Sequence, residues 1–314
     1  MELYIRPAPP FDLDLSAGIF SYGDERFPVY EGGTYRQAVS LGKRLALIKV
    51  RSLQTVEDPL LSVEVVPADG APDLSHDLSS EDAKAAKSIV TRLFNLDLDL
   101  QSFYDAVKGD PILAELSLRL RGLRSPSTAT VFEALIDSII EQQISLQAAH
   151  SMQRKLILAF GMSMSVGGVP HYIFPGPGQL SSATIDQLRG CGLSGRKAEY
   201  VLGVSRLVMD GLDLEGLRES DERKIIEELG KIRGVGVWTA EMTMIRGMQK
   251  FDAIPADDLG LRRVISHYYY HGGKISGEEA RRTAKGWKGW RGLASFYLIM
   301  AEILGIKIAL PSVP

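Results

Sequence analysis

The chain has 314 residues, 45% of them hydrophobic, and a formal net charge of −3. That length can bury a substantial core in on the order of two or three subdomains, while the slightly acidic balance taken alone argues mildly against a nucleic-acid binder. One cysteine, Cys191, excludes a disulfide framework and any cluster held by cysteines of this chain alone. No N-terminal stretch joins a basic start to a long apolar run, and no segment approaches the roughly 20 apolar residues of a membrane span. A cytoplasmic protein without a membrane partner is therefore expected. The charge is uneven: residues 221–314 carry 15 Lys+Arg against 11 Asp+Glu, and the remainder 21 against 28. Such asymmetry suits one polyanion-facing and one solvent-facing half, although ordinary surface scatter gives differences of this size.

Residues 1 to about 66 are the only β-rich part. Leu3-Tyr-Ile5, Phe27-Pro-Val-Tyr30, Ala46-Leu-Ile-Lys-Val50 and Leu61-Ser-Val-Glu-Val-Val66 read as strands, with Gly32-Gly33 a turn. A turn-rich linker from Pro67 through Asp77 closes this small α+β unit, so a boundary is expected between residues 1–78 and 79–314. Ser80-Glu-Asp-Ala opens a helix whose acidic first turn suits the dipole, and Ile89, Val90, Leu93 and Phe94 continue it. Residues 103–120 read as one or two more helices, broken near Gly109-Asp-Pro111. From Val131, the residues Phe132, Leu135, Ile136, Ile139 and Ile140 recur at helical spacing. That helix runs out in Glu141-Gln-Gln-Ile-Ser145, a solvated end in which Ser145 caps the next helix. Residues 161–178, rich in Gly and Pro, have no assignable pattern. Gly190-Cys-Gly-Leu-Ser-Gly-Arg-Lys197 leads into a helix, with Arg196 and Lys197 read as solvated charges; contact with phosphate is the alternative.

The densest signal lies at 220–267. Ser220 is a natural N-cap with Asp221 and Glu222 behind it, and Ile225, Ile226 and Leu229 form one apolar face. Gly234 and Gly236 then bracket Val235, which allows a turn with φ > 0 and a close backbone approach. A second helix starts at Val237, with Gly247 as its expected C-cap. Two helices joined by such a hairpin offer bare amides and a helix N-terminus to a phosphate. Pro255 stiffens the loop that presents Asp257 and Asp258, and the next helix starts near Leu259 with Asp257 as its expected cap. Residues 281–300 form the last helices, where Trp287, Trp290, Phe296 and Tyr297 alternate with Arg and Lys; at least one tryptophan is expected to anchor the core.

These residues resemble the helix-hairpin-helix DNA glycosylases, whose signature is the hairpin, a Gly/Pro-rich loop and a catalytic Asp. The run Val-Trp-Thr-Ala240 is most similar to 3-methyladenine DNA glycosylase II, the AlkA type, and the resemblance covers roughly Phe132 onward. It implies a mainly α fold, a helical core in two subdomains with hairpin 220–247 and catalytic loop 251–263, preceded by the α+β unit. It implies Asp258 as the catalytic residue, because Asp258-Leu-Gly-Leu-Arg-Arg263 fits the family frame and Asp257 does not. Gln143 takes the position that fills the hole left by an extruded base, and its planar amide can bond the orphaned partner base. Trp238 stands where bifunctional members carry a Schiff-base lysine. The family's other pocket tryptophan falls on Ile299, so Phe296 or Tyr297 would have to substitute. Gly234, Val235 and Gly236, with Arg233 and Arg262, would hold the DNA backbone. The carbonyls of Gly230, Ile232 and Val235 would hold a monovalent cation bridging to phosphate, or else simply cap the preceding helix. No cofactor is implied for catalysis, and the four-cysteine iron–sulfur loop of endonuclease III relatives is absent.

The implied function is excision of a damaged, alkylated purine from double-stranded DNA by a monomer, without lyase activity. Two alternatives stand beside it: a glycosylase of the same fold for oxidised or deaminated bases, and a DNA-binding module without chemistry. The latter needs only the hairpin, so Asp258 argues against it.

Overall fold

A computed structural model of the chain describes residues 1–20, 23–42, 44–70 and 79–308. The first unit is a five-stranded antiparallel sheet ordered β1-β5-β4-β3-β2, built from β1 (Glu2–Ile5), β2 (Val29–Glu31), β3 (Thr34–Leu41), β4 (Arg44–Ser52) and β5 (Leu61–Pro67), with short helix α1 (Leu13–Ala17) after β1. The four expected strand segments coincide with β1, β2, β4 and β5 to within two residues at most ends. β3 was not expected. Its burial explains why: residues facing both sides of β3 are buried or half-buried, which blurs the alternation that marks a one-sided strand.

The inner face carries Tyr35, Val39, Ile48, Val50, Leu61, Val63 and Val65, and α2 (Ser80–Leu93) lies against it through Ala86, Val90 and Leu93. Ser79 and Asp82 close a reciprocal capping box at the start of α2. The boundary expected at residue 78 falls in a segment, 71–78, outside the described residues. The sheet's apolar core continues past it to Phe94 and Leu96.

The second unit is helical: α3 (Leu100–Val107), α4 (Pro111–Arg119), α5 (Val131–Glu141) and α6 (Leu146–Phe160) come first. A two-stranded hairpin follows, β6 (Met162–Val166) and β7 (Val169–Ile173), in the stretch that showed no pattern. Gly167 and Gly168 have φ of 59° and 81°, the left-handed pair a two-residue hairpin turn requires. Met164, Val166 and Ile173 cover the outer face of the sheet at Ala38 and Leu47, and Asp69 accepts the amides of Gly167 and Gly168 at 3.1 and 3.0 Å. The β-rich region is thus not confined to the first 66 residues. The chain returns through α7 (Pro177–Ser181), α8 (Ile185–Gly190), α9 (Gly195–Met209), α10 (Glu222–Gly230), α11 (Val237–Met248), α12 (Leu259–Tyr269), α13 (Gly277–Thr283) and α14 (Arg291–Ile303). One continuous core joins α3–α5 to α9–α14. Trp287, 2% exposed, anchors it and donates to Asp110, the N-cap of α4, at 3.1 Å.

Candidate active site

Asp221, one residue past the expected Ser220, caps α10 by accepting the Lys224 amide at 2.9 Å. Ile225 and Leu229 bury the inner face of α10. The two hairpin glycines then do different jobs. Gly234 has φ 90°, and a Cβ there would sit 2.3 Å from the Tyr200 ring of α9. Both backbone and packing demand glycine. Gly236 has φ −97° and ψ 179°, which any residue adopts, and a Cβ there would meet nothing within 4 Å. It caps α11 with no side-chain bond, leaving the first-turn amides open. Gly247, the expected C-cap, instead lies inside α11, where its missing Cβ lets the helix touch Ala134 and Val131 of α5. The left-handed residue that ends α11 is Gln249, φ 59°.

The loop between α5 and α6 is tied directly to this hairpin. The Gln142 amide donates to the Gly234 carbonyl and to Thr239 Oγ1, both at 2.9 Å. Lys197 Nζ donates to the carbonyls of Ile140 and Gln142, each at 2.7 Å, so it ends α5 and is not the solvated charge expected. Between these clamps Gln143 is exposed and held at φ 57°, a conformation a non-glycine residue adopts only where its surroundings enforce it. Sequence reasoning singled out Gln143 and passed over Gln142, whose bond to the hairpin joins residues 92 apart in sequence.

Asp258, not Asp257, caps α12: one carboxylate oxygen accepts the Leu261 amide at 2.8 Å. The preceding turn is fixed by Asp258 N–H to the Pro255 carbonyl at 2.9 Å, above buried Ala253, Ile254 and Ala256. The second oxygen of Asp258 has no partner recorded among the described residues. Asp257 is exposed and lies 3.7 Å from Arg281. A carboxylate anchored by one oxygen at a helix N-terminus and open at the other is suited to face a developing cation.

The remaining candidates separate. Trp238, in the first turn of α11, is half-buried, and its indole N–H is buried with no partner among the described residues. Phe296 is half-buried, as is Ile299 one turn later on the same face of α14. Tyr297 is fully buried; its hydroxyl donates to the Leu123 carbonyl at 2.8 Å and its ring lies 4.9 Å from Phe103. It belongs to the core and cannot wall a base pocket together with Phe296. Arg233 is exposed on the hairpin, 3.1 Å from Glu199 and over the Tyr200 ring. Arg262 is half-buried with its Nε unpartnered. Of the three hairpin carbonyls, that of Ile232 already accepts the Val235 amide at 3.0 Å, and Gly230 is exposed at the end of α10.

The family model described as HhH-GPD superfamily base excision DNA repair protein matches residues 136–289, which run from the middle of α5 to just before α14 and include the hairpin and Asp258. A DNA-3-methyladenine glycosylase of Bacillus subtilis is 34% identical over 206 residues, 65% of this chain and 68% of that protein. The chain belongs to the HhH-GPD superfamily. A second relative, DNA-3-methyladenine glycosylase 2 of Escherichia coli, is 26% identical and aligns over 68% of this chain and 70% of its own length. The solved 3-methyladenine DNA-glycosylase from Archaeoglobus fulgidus superposes with a TM-score of 0.83 at 26% identity, covering 98% of this chain and all of that one. The likeness in fold to that structure therefore includes the N-terminal sheet, beyond the stretch that the family model matches.

Proposed function

We propose that this HhH-GPD protein flips an alkylated purine out of duplex DNA and hydrolyses its N-glycosidic bond, leaving the strand intact. It is a DNA glycosylase by family, and the 3-methyladenine names of its relatives supply the substrate class. The observation that carries the reading is the carboxylate of Asp258, pinned by one oxygen and free at the other. As the bond from C1′ to the base nitrogen breaks, positive charge grows on the sugar, and a fixed carboxylate in a water-poor site stabilises it. The same group orients the water that adds to C1′. A purine alkylated at N3 or N7 already carries positive charge, so it leaves neutral and needs no general acid. The Trp238 face suits such a cation, by roughly 0.5–2 kcal/mol.

Flipping costs a few kcal/mol and least for damaged pairs. Exposed Gln143, braced through Gln142 against the hairpin, is placed to occupy the vacated position. The open amides of α11 take the adjacent phosphate, with Arg233 beside them. Neutral carbonyl oxygens at the negative end of α10 suit a singly charged cation, so the donor set of Gly230, Ile232 and Val235 fits one; bound there, it would supply charge toward phosphate.

Lyase chemistry needs an amine nucleophile at C1′, and the indole nitrogen of Trp238 has no available lone pair. Lys231 is engaged with Glu228 at 2.7 Å, Lys250 lies beyond the end of α11, and Lys197 donates to two carbonyls. The test is a panel of duplexes, each with one lesion, assayed with and without hot alkali. Breaks at alkylated purines only after alkali are expected; breaks without alkali overturn the monofunctional reading.

A further inference from the structure

The loop that presents Asp258 is gripped by Arg281 of α13, a partly exposed side chain whose hydrogen bonds run to α11 and to the loop itself. Arg281 of α13 donates from both terminal nitrogens to the carboxylate of Glu241, at 2.7 and 3.2 Å. Glu241 is 2% exposed and sits on α11 one turn beyond Trp238. The same guanidinium donates to the Ile254 carbonyl at 3.1 Å and stands 3.7 Å from Asp257. One planar group therefore ties the first half of α11 to both ends of the turn from Ile254 to Asp257. Arginine suits this task, because its fork serves a carboxylate and a carbonyl together where an ammonium offers a single point. From the other side Gly277, the first residue of α13, lies so close that a Cβ would come within 2.3 Å of Asp257 Oδ1 and 3.2 Å of the Ala256 carbonyl.

We infer that Arg281 is a positioning residue for excision: with Glu241 as its buried anchor, it fixes the 254–257 turn and hence the direction in which Asp258 points. The inference rests on the assignment of Asp258 as the catalytic carboxylate. A purely structural pair would matter only because removing one partner strands the other as a buried charge. The double variant Arg281→Met/Glu241→Gln removes both charges and separates the two roles. Its melting temperature should stay close to that of the wild type, and its Kd for a lesion duplex should be unchanged. Its single-turnover excision rate should fall by about 10²-fold, the scale on which misplacement of a reacting group by about 1 Å acts.

Excision by the double variant at the wild-type rate would overturn the inference and reduce Arg281 to the counterion of Glu241. Gly277→Ala presses on the turn at the Ala256 carbonyl, 3.2 Å from the added Cβ, without removing either charge of the buried pair, and keeps the question open to test if the double variant fails to fold. A selective loss of rate at unchanged Kd is again expected, and a wild-type rate counts against the inference. Asp258→Asn run alongside keeps the two readings apart. If it excises normally, the catalytic assignment itself is wrong; if it is inactive while the Arg281 and Gly277 variants are normal, only the positioning role falls.

Discussion

Asp258 caps α12, and it is also the carboxylate that the family frame selects and that the proposed reaction uses. Its neighbour Asp257 is the cap expected from the sequence; the Leu261 amide decides the matter by donating to the Asp258 carboxylate at 2.8 Å. Position along a helix likewise sorts the aromatics of α14. Tyr297 shares its buried face with Leu293, Ala294, Leu298 and Ala301, whereas Phe296 and Ile299 stand on the face outside it. Trp238→Phe should lower kcat/KM for a cationic base a few-fold, in line with a change of about 0.5–1 kcal/mol in cation–π attraction. A neutral lesion of similar size should be affected less. Equal losses for both substrates, measured side by side, would assign Trp238 a packing role only.

At the scale of elements, the hairpin was legible because two glycines with a helix on either side leave few alternatives, yet their division of labour was not. Gly234→Ala should lower the melting temperature, because it combines φ 90° with a clash against the Tyr200 ring. Gly236→Ala should leave stability within a degree or so and weaken binding to damaged and undamaged duplexes alike, since phosphate contacts carry no sequence information. Lesion-selective loss in a binding titration would contradict that. Helix α5 carries a second device that periodicity alone did not expose. Glu133, Asp137 and Glu141 follow one another at helical spacing, and Glu141 pairs with Arg246 of α11 at 2.6 Å. Burial pushes Glu133 up to about 7 and holds Asp137 well above the usual carboxylate range, raised further by Glu133 and Glu141 and opposed by Arg246 and Gln153. Carboxyl groups with raised folded-state values bind protons more tightly when folded, so their contribution to stability is lost as pH rises from the unfolded range through about 7. Asp137→Asn should therefore stabilise the protein at pH 8 and progressively less as pH falls, with a clearly smaller gain at pH 5. A melting-temperature gain equal at both pH values would show that Asp137 titrates normally.

Across the whole molecule, the helical core was legible because local pattern and motif coincide there, whereas the features that hold the two units together were not. The β6–β7 hairpin is short and half-exposed, and it makes sense only against the outer face of a sheet more than a hundred residues earlier, at Ala38 and Leu47. Gln142 acts through a partner 92 residues away, Lys197 through partners 55 and 57 away, and Arg281 through partners 27 and 40 away. The net charge of −3 also misleads when averaged over the chain, since helix N-termini and a few arginines can hold phosphates without a large basic patch. Borohydride added during excision should trap no covalent protein–DNA adduct. A trapped adduct lost on Lys197→Ala would name that amine, the one clamped beside Gln142, as a nucleophile. The most direct test of hydrolysis by a fixed carboxylate is Asp258→Asn in a single-turnover assay on a duplex carrying one alkylated purine. Asparagine caps a helix as well as aspartate, so fold and lesion binding should persist while base release falls by several orders of magnitude. Base release within a few-fold of the wild-type rate would contradict the assignment.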